Sequence, residues 1–452
     1  MLHEKEEFSI DNLCEIYDKY NQIPKEKFTD YKVKRGLRNY DGSGVLVGVS
    51  NICSVRGYII DDGDYVPVPG MLIYRGIDIK DILEACEREN RFGFEEVAFL
   101  LIMGKLPTKA ELEEFSKILA TYRELPEYFV EDMIIKAPSK DIMNKISRSV
   151  LALYSYDENP EATSLEENLM KSFKLIARLP SIAVNSYQVK KRFFDKKSLY
   201  FHFPKENLST AENFLYTMRS DKKFTDEEAK LLDLCLILHM DHGGGNNSTF
   251  TTRVLSSTGT DIYSTISGSV CALKGPKHGG ANHKICEMVD CMKEGIKDWT
   301  DDEEVLEFLI KILRKEEGDK TGLIYGMGHA VYTISDPRAE ILKVKARQLA
   351  RTKGMEKELD LIESVERLAP KAMEIVRGEK VNICANIDLY SGFVYRMLGL
   401  PVELFTPIFA IARIVGWCAH RLEEIYTSNK IMRPAYKCIS KNKPYINISD
   451  RE

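Results

Sequence analysis

The chain carries no strong excess of charge of either sign. Its 64 lysines and arginines nearly balance 69 aspartates and glutamates, which leaves a formal net charge of -5 over 452 residues. A protein that held nucleic acid or an anionic membrane through its overall charge would need a large positive excess. The composition therefore excludes binding of that kind, and an anionic ligand would have to be held by a local group of cations.

Cysteine motifs and long apolar runs are also missing. The ten cysteines include no CxxC pair, and the closest two, Cys286 and Cys291, are too far apart for the usual redox or zinc motifs. No uninterrupted apolar run reaches about 18 residues, the length of a membrane-spanning helix. The first residues, MLHEKEEFSI, lack the basic start and apolar stretch of a secretory signal. We therefore expect a cytoplasmic protein with reduced thiols and no membrane partner.

The chain does contain many helix signals. Thr108 and Glu111 have the spacing of a capping box, and apolar residues follow them at helical spacing. Strand signals are confined to residues 44–79, where glycines and aspartates interrupt an irregular alternation that suits a small sheet or hairpins. With 44% apolar residues, the chain can bury a large core. Further helix starts are predicted at Thr225 with Glu228, near Ala281, at Asp336 before Pro337 and at Thr406 before Pro407.

Five of the eight histidines fall in one stretch, and they are His239, His242, His278, His283 and His329. An imidazole titrates near neutral pH, and a neighbouring glycine lets a ligand approach it closely. This clustering predicts a polar functional site. His239 and His242, spaced i and i+3, could both bind a metal, but no HExxH or Cys/His pair accompanies them. We therefore predict a site without metal.

His278 stands in the segment LKGPKHGGANHK, in which glycines and a proline predict a tight loop before a helix. The positive end of the helix dipole disfavours an imidazolium at this position. His278 is therefore predicted to be neutral and to donate a hydrogen bond to a ligand. The alternative is a histidine that only caps the turn.

In GMGHAVYTISDPRA, two glycines precede His329, and Arg338 lies in the first turn of a predicted helix. The GxGH pattern lacks the full GxGxxG of a dinucleotide fold, and no strand precedes it. A cation at a helix N-terminus opposes the dipole unless it reaches an anion, which favours a carboxylate or phosphate ligand for Arg338. A surface salt bridge is the alternative.

Two charged residues stand in strongly apolar segments. Asp388 lies in VNICANIDLYSGFVYRML, and Arg413 lies in TPIFAIARIVGWCAH. Burial of an unpaired charge costs several kcal/mol, so each residue needs a partner or a ligand. Either the two form a structural ion pair, or Asp388 is a desolvated base and Arg413 binds a substrate carboxylate.

These motifs resemble the citrate synthase family. Most of the chain from about residue 45 is covered, and weaker similarity includes the early segment GMLIYRGIDI. The blocks that carry the resemblance are DHGGGNNSTFTTRV, ALKGPKHGGANHK, GMGHAVYTISDPRAE, NIDLYSGFVYRMLGLP and FTPIFAIARIVGWCAHRLEE. The resemblance implies an all-α, mainly helical fold with a minor N-terminal β-hairpin or sheet. It also implies a homodimer, with a large domain of residues 1–280 and 391–452, a small domain of residues 281–390, and the active site in the cleft between them.

The resemblance also implies a reaction and a role for each site residue. The family condenses acetyl-CoA with oxaloacetate to give citrate and CoA, and acetyl-CoA is a substrate rather than a bound cofactor. Asp388 matches the base that removes a methyl proton, His278 the donor to the thioester oxygen, and His329 the residue that polarises the ketone. The residues that match the oxaloacetate-binding groups are His242, Arg338, Arg413 and Arg433, the last reaching across from the partner subunit.

Some positions depart from the family pattern. Thr333, followed by Ile334, stands where many members carry a basic residue against a CoA phosphate, so Lys274 and Lys277 are the predicted substitutes. Arg421 replaces an aromatic residue. The GGG after His242 replaces bulkier polar residues, which predicts a looser loop.

Two alternative functions stay open at this level. A 2-methylcitrate synthase would use propionyl-CoA with the same catalytic groups, because one methyl group in an apolar pocket is worth only about 1–3 kcal/mol. A non-catalytic regulatory or scaffold protein of the same fold is the second alternative. The intact set of His278, His329 and Asp388 argues against it. The sequence does not distinguish a dimer from a hexamer, and it does not predict whether nucleotides inhibit the protein.

Overall fold

The structure is a computed structural model that describes residues 10–61, 64–428 and 430–451. Helices make up most of this part of the chain, and the strands form a single small sheet. The predicted mainly helical fold class is therefore confirmed. The chain divides into one unit that ends at Val49 and a second that starts at Ser50.

The described part of the first unit is short and exposed. It contains α1 (Ile10–Tyr20) and α2 (Lys25–Asp30), followed by an isolated antiparallel bridge between Arg38 and Gly44. Neither helix has a buried residue. This unit therefore has almost no apolar core of its own.

The second unit opens with the predicted sheet. Strands β1 (Cys53–Asp61), β2 (Asp64–Tyr74) and β3 (Ile77–Asp78) pair in sequence order, and both pairings are antiparallel. The buried Tyr74 hydroxyl donates to the carbonyl of Ile237, at 3.1 Å. This bond fastens the sheet to the helical core.

The remainder of the second unit is helical. Its helices are α3 (Ile79–Arg88), α4 (Phe94–Met103), α5 (Lys109–Thr121), α6 (Ile142–Ala152), α7 (Leu165–Phe193), α8 (Thr210–Met218), α9 (Asp226–His239), α10 (Asn247–Ser256), α11 (Ile262–Lys274), α12 (Ala281–Gly295), α13 (Asp302–Leu313), α14 (Pro337–Lys353), α15 (Glu356–Arg377), α16 (Ile387–Met397) and α17 (Phe405–Thr427).

Local capping explains where several helices begin. The predicted capping boxes at Thr108 and Thr225 are both present, and Asp336 caps α14 with its side chain. The predicted N-cap at Thr406 is wrong, because α17 already begins at Phe405. Proline is tolerated throughout the first helical turn, so the following proline does not mark the helix start.

Helix α17 lies at the centre of the second unit and packs against α4, α7, α9, α10 and α11. Within the described residues, the segment Val402–Thr427 is long and apolar enough to span a membrane, but 83% of its apolar window is buried inside the protein. The same composition is expected of a core helix. Side chains of α17 therefore reach into the interior, where the candidate site lies.

The helices of the predicted small domain pack on one another. Helix α12 contacts α16, α13 contacts α15, and α14 contacts α16. Helix α14 also packs against α9 and β2. The predicted division of the chain into domains of residues 1–280 with 391–452 and residues 281–390 stays a prediction.

Candidate active site

His242 follows α9 and lies against His329. The centroids of the two rings are 4.9 Å apart, and the rings meet edge to face. Burial, followed by the charge of Arg338, lowers the pKa of His242 well below its ordinary value, and Arg413 acts in the same direction. His242 is therefore neutral at physiological pH. Its buried Nε2 atom has no hydrogen-bond partner among the described residues.

His278 lies just before α12 and is held by Ser248. The distance from His278 Nε2 to Ser248 Oγ is 3.1 Å, and Trp417 Nε1 donates to the same hydroxyl at 3.2 Å. Burial, assisted by the charge of Arg413, lowers the pKa of His278 to about 4. The neutral state was predicted, but its cause here is burial rather than the helix dipole. The capping alternative does not apply, because Gly280 is the N-cap and no side chain caps α12.

A short backbone pairing brings His329 and Asp388 together. The N–H of Asn386 donates to the carbonyl of Gly326 at 2.9 Å, next to an isolated antiparallel bridge. Gly326 has a φ of +84°, and a Cβ there would lie 2.9 Å from the Leu389 Cβ. Only glycine fits such a conformation and such a close approach. Gly326 therefore lets the segment before His329 pack closely against the segment that contains Leu389.

The hydrogen bonds of His329 define its tautomer. The backbone N–H groups of Val331 and Tyr332 donate to His329 Nδ1 at 3.0 and 3.1 Å. An Nδ1 atom that accepts hydrogen bonds carries no proton, so in the neutral ring the proton is on Nε2. The Tyr332 ring stacks on the imidazole with centroids 4.6 Å apart. His329 is thus oriented as a donor through Nε2.

Asp388 lies in the first turn of α16 and contacts Asn282. Asn282 Nδ2 donates to Asp388 Oδ1 at 3.1 Å, and Ser391 Oγ donates to Asn282 Oδ1 at 3.0 Å, which fixes the amide orientation. Burial raises the pKa of Asp388 to about 6, although the charge of Arg338 opposes this change. At neutral pH the carboxyl is therefore mostly ionised, and it is a stronger base than an exposed aspartate.

Arg338 is buried and paired. Its Nε and Nη2 atoms donate to the two carboxylate oxygens of Asp336 at 3.0 and 2.7 Å. The N–H of Ile387 also donates to Asp336, at 3.3 Å, which ties the start of α14 to the start of α16. The salt bridge of the alternative interpretation is present, but it is buried and not on the surface, because Arg338 is only 4% exposed. Asp336 thus fixes the Arg338 guanidinium, whose positive charge also interacts with the Asp388 carboxylate.

Arg413 is fully buried on α17 and is incompletely paired. Its Nε donates to the carbonyl of His239 at 2.7 Å, and its guanidinium lies over the Phe409 ring at 4.7 Å. Arg413 Nη1 is buried without a partner among the described residues. Arg413 and Asp388 form no ion pair, so the alternative of a structural pair is wrong. A buried guanidinium with an unused donor is suited to a carboxylate.

Three predicted binding residues lie outside this cluster. Lys274 pairs with Asp141 at 3.0 Å, and Lys277 is exposed. Arg433 is exposed in the segment without regular secondary structure that follows α17, and no hydrogen bond or ion pair joins it to the cluster. Their predicted contacts, with CoA and with a substrate in the partner subunit, stay predictions.

The structure also shows groups that the sequence reasoning missed. His239 Nδ1 bonds the carbonyl of Cys235 at 2.8 Å, and the buried His239 Nε2 has no hydrogen-bond partner among the described residues. No group of three or more metal-ligating residues comes together in the described ranges. The supporting residues Ser248, Asn282 and Asp336 stand inside the motif blocks or beside them. Their roles could not be predicted from the sequence, because each depends on a side-chain contact or on burial in the folded chain.

The assembled cluster contains one carboxylate of raised pKa, three imidazoles and two buried guanidiniums. The guanidiniums can hold a small anion with more than one carboxylate, and the imidazoles can donate to oxygens that become negative. The carboxylate can accept a proton from a neighbouring acid. Fold and site together define a mainly helical protein whose site suits acid–base chemistry on a small polycarboxylate.

Comparison with known proteins identifies the family. The family model described as "Citrate synthase, C-terminal domain" matches residues 39–435, so the chain belongs to the citrate synthase family. It is 34% identical to citrate synthase of Haloferax volcanii over 89% of this chain and 94% of that one. It is 35% identical to citrate synthase of Synechocystis sp., with 94% and 95% covered. The family resemblance read from the motif blocks is therefore confirmed.

Solved structures give the same result. Citrate synthase from Thermotoga maritima superposes with a TM-score of 0.71 and 32% identity, covering 93% of this chain and 99% of that one. A ternary complex of carboxymethyl coenzyme A and oxaloacetate with citrate synthase from Thermoplasma acidophilum has a TM-score of 0.75 and 26% identity, with the same coverage. Most of the chain therefore has counterparts of known structure.

Proposed function

We propose that this chain condenses acetyl-CoA with oxaloacetate and water to give citrate and free CoA. The observation that carries the proposal is the pair of protonation states at Asp388 and His278. Their pKa values of about 6 and about 4 leave an ionised carboxylate and a neutral imidazole at pH 7. Enolisation of a thioester requires these two states, a base for the carbon-bound proton and an uncharged donor for the developing oxyanion.

Proton removal from the methyl group is the difficult step. A pKa mismatch of about 10 units between a carboxylate and such a carbon acid corresponds to about 14 kcal/mol. The increase from 3.8 to about 6 strengthens the Asp388 base by about 3 kcal/mol at 1.36 kcal/mol per unit. The larger part must come from stabilisation of the enolate oxygen, for which His278 is oriented by Ser248.

Carbon–carbon bond formation then requires an activated ketone. Arg413 and Arg338 hold the oxaloacetate carboxylates, and His329 donates its Nε2 proton towards the ketone oxygen as that oxygen becomes an alkoxide. This orientation removes much of the entropic part of the barrier. Water then cleaves the citryl-CoA thioester, which releases the CoA thiol and leaves citrate as a carboxylate. His242 lies beside His329 and binds the same substrate.

Release of free thiol in the presence of acetyl-CoA and oxaloacetate tests this function. The expected result is a steady release that needs both substrates, with citrate formed in equal amount. Release without oxaloacetate would indicate simple thioester hydrolysis. The absence of any turnover in folded protein would favour the scaffold alternative.

Acetyl-CoA is favoured over propionyl-CoA, because the similar chains described above are named citrate synthases. Comparison of kcat/KM for the two acyl-CoAs at saturating oxaloacetate measures this preference. A higher value for propionyl-CoA would reassign the chain to 2-methylcitrate synthesis.

We further propose a homodimer in which Arg433 completes the site of the partner subunit. Its exposed position in a segment without regular secondary structure is compatible with a contact to another chain. Mixing the inactive D388N and R433L homodimers tests this. Each hybrid dimer would contain one site with both native residues, so activity should reappear after subunit exchange. Activity that stays absent after exchange, shown by a tagged subunit, would place Arg433 in the site of its own subunit.

The remaining proposals concern CoA, the cofactor and the location. Lys274 and Lys277 bind the CoA phosphates, so K274A with K277A should raise KM for acetyl-CoA and leave KM for oxaloacetate unchanged. The enzyme needs no bound metal or cofactor, and dialysis against a chelator should not change its activity. It acts in the cytoplasm, which cell fractionation would test.

A further inference from the structure

His420 lies in a buried chain of charged and polar groups behind His242. His420 Nε2 is 3.1 Å from Asp241 Oδ2, and Arg253 donates to His420 Nδ1 through Nε at 3.1 Å and through Nη2 at 2.8 Å. His420 and Asp241 are 0% exposed, and Arg253 is 8% exposed. We call Asp241, His420 and Arg253 the relay.

The relay has only one arrangement of protons. A guanidinium donates hydrogen bonds and never accepts them, so the Nδ1 atom that faces Arg253 carries no proton. In the neutral ring the proton of His420 is therefore on Nε2, where it points at the Asp241 carboxylate. Burial by itself would raise the pKa of Asp241, but the interactions with His420 and Arg413 lower it to about 2. Asp241 is thus an anion whose orientation His420 sets.

The far end of the relay is fixed to α17. Arg253 Nη1 donates to Glu424 at 2.9 Å, and Arg253 Nη2 also contacts Glu423. Glu423 in turn accepts from the N–H of Asn51 at 2.9 Å. Both carboxylates follow His420 on the same helix, so Arg253 cannot turn away from Nδ1 without losing two ion pairs.

Two glycines, Gly244 after His242 and Gly416 on α17, pack directly on the relay. A Cβ at Gly244 would lie 3.1 Å from Arg253 Nε and 3.7 Å from His420 Cε1. A Cβ at Gly416, on α17, would lie 2.6 Å from Asp241 Oδ1. The GGG segment was predicted to loosen the loop. That looser loop stays a prediction, and the central glycine, Gly244, lets the loop lie close against the relay.

The near end of the relay holds the residues on both sides of His242. Asp241 Oδ2 accepts from the N–H of Gly243 at 3.1 Å, and the Tyr74 hydroxyl accepts from the N–H of Asp241 at 3.2 Å. The backbone of His242 is therefore held between two fixed neighbours. The ring that this backbone carries meets His329 edge to face, with centroids 4.9 Å apart.

We infer that His420 and Arg253 are positioning residues for oxaloacetate binding, acting through Asp241 on the backbone that presents His242. Neither side chain contacts the substrate. The inference rests on the proposed function, because it assigns His242 to oxaloacetate. A purely structural role for the relay would change the stability of the protein and leave the substrate affinities of the folded enzyme unchanged.

The first test separates the two Michaelis constants. H420F keeps a ring and removes both hydrogen bonds, and we expect KM for oxaloacetate to rise about tenfold, the usual size of a lost bond to a charged group. KM for acetyl-CoA at saturating oxaloacetate should change less than about twofold. H420Q, whose amide can still donate to Asp241, should recover part of the oxaloacetate affinity. R253K keeps the charge but not the paired donors, and it should give a smaller increase than H420F.

The second test asks whether the effect passes through His242. In an H242A background, H420F should not raise KM for oxaloacetate further, because the supported side chain is already absent. Equal increases in both backgrounds would overturn the inference. A folded H420F with wild-type KM for oxaloacetate would also overturn it. If H420F does not fold, then wild-type KM values in both H420Q and R253K would do so.

A wild-type chain without turnover would instead refute the proposed function. In that case oxaloacetate binding by calorimetry replaces KM as the readout. Affinity that H420F leaves unchanged would then overturn the inference by itself.

Discussion

Substitution of Asp388 by asparagine should lower turnover and raise stability at the same time. The pKa of this carboxyl is raised from 3.8 to about 6 by burial, so the folded chain holds the ionised form less favourably than the unfolded chain does. Below about pH 4 the carboxyl is protonated in both the folded and the unfolded chain, so its ionisation does not change the free energy of unfolding. Above about pH 6 it is ionised in both states. The difference between the two pKa values then lowers the free energy of unfolding by at most about 3 kcal/mol, at 1.36 kcal/mol per pKa unit.

Asparagine carries no charge and can still accept the hydrogen bond from Asn282. D388N should therefore be more stable than the wild-type chain at pH 7 to 8, with a Tm that is a few degrees higher. The advantage should shrink as the pH falls through 6 and vanish near pH 4. Turnover should fall about 10²- to 10⁴-fold, because the general base is gone, whereas oxaloacetate binding is retained.

Thermal unfolding of both proteins between pH 4.5 and 8, with thiol release measured on the same samples, checks this prediction. Asp298 provides a matched control, because the hydrogen bond from Thr300 lowers the pKa of that exposed carboxyl. D298N should lose stability at neutral pH and keep full turnover. A D388N protein that is no more stable than wild type at pH 8, or whose advantage is the same at every pH, would refute the reasoning.

Three further substitutions follow from the contacts of the site. R413L should raise KM for oxaloacetate by more than tenfold, since it removes the buried guanidinium with the unused donor, and an unchanged KM would argue against carboxylate binding there. S248A removes the hydroxyl that holds His278, so kcat should fall about tenfold with little change in KM for oxaloacetate, and a change in KM alone would contradict this role. N282A removes a hydrogen bond that lowers the pKa of Asp388, and the acid limb of kcat/KM should therefore move to higher pH. A limb at the wild-type position would show that the amide does not act on Asp388.

Features set by neighbours in the chain could be predicted from the sequence. The capping boxes at Thr108 and Thr225 and the cap at Asp336 depend on bonds within one helical turn, and all three are present. The predicted N-cap at Thr406 is wrong because the contact of this side chain lies outside its own helical turn. Its hydroxyl donates to the carbonyl of Gly279, far away in the chain, and the helix had already begun.

The membership of the site was also predictable in part. His278, His329, Asp388, Arg338 and Arg413 were selected because polar groups in glycine-rich or apolar segments need a partner or a ligand. His242 was added by the family resemblance. The structure does bring these six together. The contacts of Lys274, Lys277 and Arg433 with CoA or with a partner chain involve molecules other than the chain itself, so a single subunit does not display them.

The sequence by itself determined the residue types of this protein, the beginnings of several helices and the family to which the chain belongs. The tertiary structure alone decided which atoms face each other and how far each group is removed from water. Those two quantities set the pKa of Asp388 and of His278, pair Arg338 with Asp336, and place His420 between Asp241 and Arg253. The physical reason is that hydrogen bonds, burial and charge act over a few ångströms of space, whereas the groups involved are separated by as many as 179 positions in the chain.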